Sequence, residues 1–302
     1  MKNKIKNSAL ICDLDNTLYD WVNYFVPSFY AMIERAVQIT GCNQERLLDD
    51  LRRVHQRHHN SEQPFALLEA KCIDLWLQVG NKDEKLTQLD SAFHRFNAVR
   101  KSTLKLYAGV IDTLTELSSM GIKLIAHSDS NMFAVIDRVQ RLKLTYFFEC
   151  IYCTEPTNST HPKGGATSDI FLTFPLHKIV THNRFEKKPN KNLLNNIIIQ
   201  QKLSRKYTAY IGDSLKKDVY MANNSGVFAI WAAYGAIYSE PNYNKLIRVS
   251  HWTAADVARE REIDRLASGV RPDFICHNSF SEVIEPMRQI TKNHVTGLGL
   301  EA

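Results

Sequence analysis

Short apolar runs, three of which end in polar clusters, alternate with amphipathic segments along most of this 302-residue chain. The apolar runs are residues 8–14, "IKLIAHSDS", "FFECIYC", "YTAYIGDS", "VFAIWAAYG" and "PDFICHN". The amphipathic segments between or after them are "GVIDTLTELSSMG", "NMFAVIDRVQRL", "KNLLNNIIIQQKL", "KKDVYMANNSG" and "FSEVIEPMRQIT". Strands that alternate with helices predict an α/β fold with a doubly wound parallel sheet, because parallel strands are joined by right-handed crossover helices.

The stretch from 21 to 104 breaks this alternation and is predicted to be all helical. Segments such as "YFVPSFYAMIERAVQITG" and "FALLEAKCIDLWLQVG" carry apolar residues three and four positions apart, and each ends at a glycine. We therefore predict a helical cap over 21–104. It is inserted after the first strand of an α/β core that comprises 1–20 and 105–302.

Two further sections exceed a minimal core. Residues 154–184 begin as a loop rich in Thr, Ser, Pro and Gly and then become apolar. This pattern predicts an excursion from the α/β core near the mouth of the active site. This excursion is a candidate for contacting substrate or a partner subunit. Residues 236–270 are predicted to form a strand or turn followed by a charged helix. The sequence assigns neither section a chemical role.

Charge and composition limit the classes of partner. The net charge of +6 favours anionic small molecules, and the basic runs "LRRVHQRHH" and "FEKKPNK" lack the interleaved aromatic residues of a nucleic-acid surface. No apolar run approaches the ~18 residues of a membrane span, and the N-terminal residues lack the apolar region of a secretory signal. We therefore expect a cytoplasmic protein that binds neither nucleic acid nor membrane. Its oligomeric state is left open.

The six scattered cysteines are interpreted as reduced, mostly buried thiols rather than a disulfide framework. Cys150 and Cys153 form a CxxC pair within "FFECIYC", a run predicted to be a strand. No second pair stands nearby, so a metal or redox role for this pair is the weaker alternative.

Three of the apolar runs end in acidic or hydroxyl side chains that a parallel sheet would bring to one crevice. Asp13 and Asp15 in "DLDNT" follow the first run, and Asp213 and Asp218 in "GDSLKKD" follow "YTAYI". Four carboxylates in one crevice repel one another unless a cation compensates, and oxygen-only ligands suit Mg²⁺. A hydroxyl from "SDS" and a lysine from "KKPN" add anion binders, and the whole set predicts phosphoryl transfer.

With these motifs the chain resembles the haloacid dehalogenase-like hydrolase superfamily, in the subgroup with a helical cap after the first strand. "DLDNT" resembles the first motif, Ser128 in "LIAHSDS" the second, Lys188 in "KKPN" the third and "GDSLKKD" the fourth. "DNTLY" and the stretch "RVHQRHHNSEQPFALLEA" further resemble pyrimidine 5'-nucleotidase-like members. The resemblance covers about 8–20 and 105–290 and implies a Rossmann-like core.

The resemblance implies a role for each carboxylate. Asp13 would be the nucleophile that becomes an aspartyl-phosphate. Asp15 would be the general acid for the leaving oxygen and then the base that activates water. The cofactor would be Mg²⁺, held by Asp13, the backbone carbonyl of Asp15 and Asp213. Asp218 would steady metal-bound water.

The resemblance also implies a phosphate site. Ser128 and the loop N–H groups around it would bind phosphoryl oxygens, with Thr17 and Asp129 beside them. Asp129 stands where the family more often has asparagine, and Thr17 is also a candidate helix cap. Lys188 would keep the nucleophile ionised. It is chosen over Lys187 because it directly precedes the proline of the motif.

The cap carries two candidate substrate contacts, Arg57 and His58, which would meet the leaving group or a second phosphate. An exposed cationic helix is the alternative for the same residues.

The predicted function is a Mg²⁺-dependent phosphomonoesterase acting on a small phosphorylated metabolite, with nucleotide monophosphates first and sugar phosphates second. Asp15 favours phosphate esters, because the dehalogenase branch lacks this acid and uses no metal. A phosphomutase that forms the same aspartyl-phosphate is one open alternative. A non-catalytic module that binds a phosphometabolite or a protein is the other, and the four intact motifs argue against it.

Overall fold

The computed structural model describes residues 8–77, 81–156 and 173–297 of the chain. The described residues form one parallel sheet with the strand order β4-β3-β2-β1-β5-β6-β7. The strands are β1 (Ala9–Cys12), β2 (Lys123–Asn131), β3 (Cys150–Thr154), β4 (Ile179–His182), β5 (Thr208–Gly212), β6 (Phe228–Ala232) and β7 (Phe274–Cys276). This arrangement confirms the predicted α/β fold with a doubly wound parallel sheet.

Helices surround the sheet and fill the inserted stretch. They are α1 (Trp21–Thr40), α2 (Gln44–His58), α3 (Lys71–Leu77), α4 (Lys82–Gln88), α5 (Asp90–Thr103), α6 (Val110–Ser119), α7 (Met132–Arg141), α8 (Lys191–Gln200), α9 (Tyr220–Ser225), α10 (Glu240–Val249), α11 (Ala254–Leu266) and α12 (Ile284–Gly297). None of these described helices is at once long enough and apolar enough to cross a lipid bilayer.

Strand β1 lies in the middle of the sheet and is buried on both faces, as its continuous apolar run predicts. Leu10 and Cys12 belong to an apolar core with α6, α7 and α12, whereas Ile11 belongs to a core with α8 and α9 on the opposite face. The chain runs outward from β1 to β4 and then returns to β5 beside β1. Strand order therefore reverses at β1, and a crevice is expected at the carboxyl ends of the strands there.

Helices α1 to α5 and a 3-10 helix (Pro64–Glu69) pack around an apolar core of their own. Helix α1 begins at Asp20, whose carboxylate accepts a hydrogen bond of 2.9 Å from the N–H of Asn23, and it ends at Gly41 with a φ of 66°. The described residues between 21 and 104 contain no strand, in agreement with the all-helical prediction. The boundaries of a cap over 21–104 and a core over 1–20 and 105–302 stay a prediction.

Helix α10 stands where the sequence predicts a strand or turn, so that part of the prediction is wrong, whereas α11 is the predicted charged helix. Pro241 stands in the first turn of α10, where a proline is tolerated because its missing N–H has no partner in a helix. Leu246 and Val249, three residues apart, pack against the apolar core of the cap. Helix α11 starts with a capping box in which Thr253 and Asp256 exchange hydrogen bonds.

The section 154–184 is predicted to be an excursion from the core, and this is wrong for its last residues. Residues 179–182 form the edge strand β4, which pairs in parallel with β3 and places Ile179 opposite Ile151. A strand of four residues is too short for its period to be recognised in the sequence. Residues 157–172 of the predicted loop lie outside the described residues.

Gly235 provides a test of how tightly the turn after β6 packs on the loop that follows β1. A Cβ atom at this position would lie 1.8 Å from the carbonyl oxygen of Asn16, which neither backbone can avoid without moving. We expect Gly235→Ala to lower the free energy of unfolding by about 3 kcal/mol or more, measured by urea denaturation. Gly269→Ala is the control, since its Cβ meets open space and only its φ of 83° opposes it, at about 1–2 kcal/mol. Equal losses would contradict this packing.

Candidate active site

A buried lysine joins two buried aspartates at the carboxyl edge of the sheet. The Nζ atom of Lys188 lies 2.6 Å from Oδ1 of Asp13 and 2.7 Å from Oδ1 of Asp218. Asp13 directly follows β1, Asp218 lies in a π-helical turn (Leu215–Val219) after β5, and Lys188 precedes α8. The sequence thus brings three separate motifs to one point, and each of the three side chains is at most 7% exposed.

The charges in this group shift one another's protonation. Burial raises the pKa of the Asp13 carboxyl well above its usual range, the ammonium of Lys188 opposes that shift, and the neighbouring carboxylates add to it. Burial alone would lower the pKa of Lys188, but Asp13 and Asp218 outweigh burial and raise it. Lys188 therefore stays a cation, whereas Asp13 needs further positive charge to be fully ionised near neutral pH.

A third carboxylate completes the cluster. Among the described residues, Asp13, Asp213 and Asp218 each present an oxygen within 4.8 Å of the others. The hydroxyl of Tyr238 donates a hydrogen bond of 2.9 Å to Oδ2 of Asp213. Burial, followed by the charge of Asp218, raises the pKa of Asp213 to about 7.

This donor set fits a hard divalent cation. Three carboxylates face one lysine, so the ionised cluster carries an excess of negative charge that the described side chains around it do not balance. Oxygen-only ligands with excess negative charge are what Mg²⁺ prefers in proteins. The cluster confirms that buried aspartates from the first and fourth motifs converge. The identity of the ion remains a proposal.

The side chain of Asp15 lies apart from the cluster. Its Oδ2 accepts hydrogen bonds from the hydroxyls of Ser130 at 2.8 Å and Ser128 at 3.3 Å, and its carboxylate pairs with Arg138 at 3.3 Å. The predicted metal ligand of Asp15 is its backbone carbonyl, not its carboxylate. The position of the side chain therefore does not test that prediction.

The other predicted phosphate-site residues, Thr17, Ser128 and Asp129, differ in their hydrogen-bond partners. Thr17 donates a hydrogen bond of 3.3 Å to Oδ2 of Asp13. Ser128 is buried within β2, and its hydroxyl accepts a hydrogen bond from the N–H of Ser130 at 3.1 Å. The carboxylate of Asp129 accepts the backbone N–H of Lys188 at 3.1 and 3.2 Å. Asp129 thus fixes the backbone of the lysine that the motif supplies.

A cavity of about 360 Å³ opens in front of Asp15 and Lys188. The end of α2 and the segment after it, the ends of β2 and β3, and helices α10 and α11 surround it. The basic residues that line the cavity are His58, His59, Arg184, Lys187, Lys188, Lys217, His251 and Arg259. Lys187, the rejected alternative to Lys188, thus lines the cavity without entering the carboxylate cluster.

The two predicted cap contacts behave differently. His58 lines the cavity, although its Nε2 lies 2.9 Å from a carboxylate oxygen of Glu69. Arg57 does not line it. The side chain of Arg57 is 63% exposed and its guanidinium lies 3.5 Å from Glu69, so the structure does not bring this residue to the site. Adjacent residues on a helix point in different directions, so His58 reaches the cavity and Arg57 does not.

Several residues that support the site were not predicted. Tyr238, Trp231 and Tyr210 hydrogen-bond to the aspartates: Tyr238 to the Asp213 side chain, Trp231 to the Asp213 carbonyl at 2.8 Å and Tyr210 to the Asp218 side chain at 3.3 Å. Arg138 and Glu62, which meet at 2.5 Å, are the other two. The sequence contains a signal for Arg138. It stands three residues after Val135 and beside Val139 on the apolar face of α7, a pattern that indicates a buried arginine.

The comparison with known proteins agrees with this geometry. A family model described as haloacid dehalogenase-like hydrolase matches residues 8–226. The chain therefore belongs to this hydrolase family, and the prediction that it is an enzyme is confirmed.

Two known proteins illustrate the relationship. The chain is 24% identical over 226 residues to a glyceraldehyde 3-phosphate phosphatase of Methanopyrus kandleri, an overlap of 74% of this chain and 82% of the relative. A 2-haloacid dehalogenase from Pseudomonas syringae pv. Tomato DC3000 matches 94% of this chain and 99% of its own with a TM-score of 0.55 and 18% identity. At that identity the second likeness shows the fold alone.

Asp213 makes the stability of the metal-free protein depend on pH. Its pKa is about 7 when folded and has the ordinary value of 3.8 when unfolded, so between these values the folded state binds the additional proton. Stability from this group is present at low pH and is lost as the pH rises toward 7. In EDTA we therefore expect the Tm to fall across this window, and Asp213→Asn to remove part of the fall.

The same ionisation makes the cation more stabilising at higher pH, because a metal binds carboxylates in their ionised form. We expect millimolar Mg²⁺ to raise the Tm more at about pH 8 than at about pH 5, and Asp213→Asn to reduce the difference. A rise in Tm that is equal at both pH values would contradict a cation site at these aspartates.

Proposed function

We propose that the chain is a Mg²⁺-dependent phosphatase that hydrolyses small phosphate monoesters through an aspartyl-phosphate on Asp13. The observation that carries the proposal is the buried Lys188 ammonium shared by Asp13 and Asp218, with Asp213 beside them. Phosphoryl transfer requires a positioned nucleophile and compensation of the charge on the transferring group. This cluster supplies the first and has the ligands for the second.

Asp13 is the proposed nucleophile. One of its oxygens forms a bond to phosphorus while the bond between phosphorus and the leaving oxygen breaks. Lys188 holds Oδ1 of Asp13 in place and favours its ionised form, and Thr17 contacts Oδ2. Asp15 gives its proton to the leaving oxygen in this step. In the second step Asp15 takes a proton from water, the water oxygen bonds to phosphorus, and the bond from Asp13 to phosphorus breaks.

The proposed Mg²⁺ site consists of Asp13, Asp213 and the backbone carbonyl of Asp15, with Asp218 steadying water around the ion. When bound, Mg²⁺ supplies neutralisation of the charge on the phosphoryl oxygens and keeps the acidic cluster ionised. Tyr238 orients Asp213 by its hydrogen bond of 2.9 Å, as partners of metal-ligating carboxylates commonly do.

The proposed phosphate site is formed by Ser128, Thr17 and the backbone N–H groups around Ser128. A carboxylate cannot donate a hydrogen bond when ionised, so Asp129 is the least suited of the predicted phosphate binders. Its two contacts to the N–H of Lys188 support a different part, namely holding the lysine against Asp13.

The cavity supports the proposed substrate class. A volume of about 360 Å³ suits a small metabolite, and the five Lys and Arg residues that line the cavity outnumber its four Asp and Glu residues, which favours an anionic one. We propose nucleotide monophosphates first and sugar phosphates second. Trp21 and Trp252 also line the cavity and offer flat apolar surface for a base. The "DNTLY" motif and the position of His58 support a pyrimidine 5'-nucleotidase-like subgroup.

We propose that 21–104 acts as a cap that excludes water from the crevice, with 1–20 and 105–302 as the catalytic core. The presence of Asp15 supports phosphate esters over haloacids, because a halide leaves without a proton. A phosphomutase would use the same residues of the core, and only its product distinguishes it from a hydrolase.

The test is phosphate release from a panel of nucleotide, sugar and triose monophosphates with Mg²⁺ and with EDTA. We expect release that depends on Mg²⁺ and falls by at least about 1000-fold in Asp13→Asn, since loss of a nucleophile removes the covalent route. Asp112→Asn, on the exposed side of α6, is the matched control and should retain the rate.

The products decide between the alternatives. Conversion of an ester into its isomer instead of free phosphate would indicate a mutase. Binding of Mg²⁺ without turnover of any ester would contradict the proposed phosphatase and favour a binding module.

A further inference from the structure

Arg138 on α7 is the largest fully buried side chain among the described residues, with 1% of its surface exposed. Burying a guanidinium costs several kcal/mol unless carboxylates and hydrogen-bond acceptors surround it. Its surroundings should therefore explain why an arginine stands on the apolar face of this helix.

Three partners from two parts of the chain surround Arg138. Its Nε–H donates to the hydroxyl of Tyr19 at 2.9 Å, one terminal nitrogen donates to Glu62 at 2.5 Å, and the other lies 3.3 Å from Oδ1 of Asp15. The indole N–H of Trp21 donates to the same oxygen of Glu62. Tyr19 and Asp15 follow β1, whereas Glu62 lies between α2 and the 3-10 helix.

These contacts link the proposed acid to the inserted helical stretch through one rigid group. The guanidinium is planar and fixes the angles between its partners, so a shift of Glu62 is transmitted to the carboxylate of Asp15. The carboxylates of Asp15 and Glu62 line the cavity, whereas Arg138 does not. Arg138 therefore acts from behind the site and has no direct contact with the cavity.

We infer that Arg138 is a positioning residue that orients Asp15 for proton transfer, and that Glu62 sets Arg138 from the helical stretch. The inference rests on the proposed function, because it assigns support to the proposed acid. Arg138 and Glu62 exchange no proton in the reaction. The proton of Asp15 goes to the leaving oxygen as the bond from that oxygen to phosphorus breaks.

The consequence is a dependence on the leaving group. An alkyl phosphate such as glycerol phosphate needs a proton on its leaving oxygen, whereas p-nitrophenyl phosphate releases a stabilised phenolate that needs little help. The ratio of kcat/KM for the two esters therefore measures how well the acid is placed. The value of kcat/KM depends only on the steps up to departure of the leaving group. The later hydrolysis of the aspartyl-phosphate therefore does not affect the ratio.

The variants are Glu62→Gln, Arg138→Gln and Arg138→Lys in the full chain with Mg²⁺, with Asp15→Asn as the reference for a lost acid. We expect Glu62→Gln and Arg138→Gln to lower kcat/KM for glycerol phosphate by roughly 10–100-fold, because a misplaced catalytic group costs about that much. The value for p-nitrophenyl phosphate should fall less than about threefold. Arg138→Lys should recover part of the loss, since it keeps the charge without the fork.

Arg141→Gln is the matched control, because Arg141 lies on the same helix and pairs with Asp137 at 2.9 Å instead of Asp15. It should leave the ratio of the two esters unchanged. Glu62→Gln nearly preserves shape and tests the link even if Arg138→Gln fails to fold, as judged by circular dichroism.

Equal losses on both esters in a folded variant, or no loss on either, would overturn this inference alone. A wild-type protein that hydrolyses neither of these esters nor any ester of the nucleotide, sugar and triose panel would overturn the proposed function, and this inference with it.

Discussion

The ion triad of Lys188 with Asp13 and Asp218 holds the rest of the site in place. One ammonium lies 2.6 and 2.7 Å from carboxylates that belong to different motifs, so the loops after β1 and β5 and the segment before α8 meet at one buried point. Removing one partner from such a group typically costs about 3–5 kcal/mol, because the charges that remain are buried without compensation. Asp129 adds a second restraint by binding the backbone of the same lysine.

A second set of contacts fixes the inserted helices above this point. Helix α10 belongs to a section that follows β6, yet Val249 is buried in the apolar core of α1 to α5. His55 of α2 places its Nδ1 2.7 Å from the carbonyl oxygen of Val249, and burial lowers the pKa of His55 to about 4, so it is neutral there. Helices α2 and α10, which both line the cavity, are thus held together, and Arg138 connects Glu62, in the segment after α2, to Asp15.

The sequence predicts those parts of the fold and site that depend on local pattern. The apolar run before Asp13 predicts a buried strand. Lys188 is distinguished from Lys187 only by the proline that follows it, Pro189. Contacts between distant residues are not predictable in this way. The bond from the carboxylate of Asp129 to the N–H of Lys188 spans 59 residues. The apolar residues of "NKLIRV" suit a strand or a helix equally, and only their packing on the cap decides for α10. The role of Arg138 is not predicted from the sequence, because an arginine on a helix is usually exposed.

The measurement that tests the account most directly is the location of the phosphoryl group during turnover. The protein, mixed with Mg²⁺ and its best ester, would be quenched in acid within the first turnover, digested and analysed by mass spectrometry. The account predicts a phosphoryl group on the peptide that contains Asp13, lost again when the quench is delayed until substrate is exhausted. Phosphate release in the first turnover without any phosphoryl group on that peptide would contradict a covalent route through Asp13.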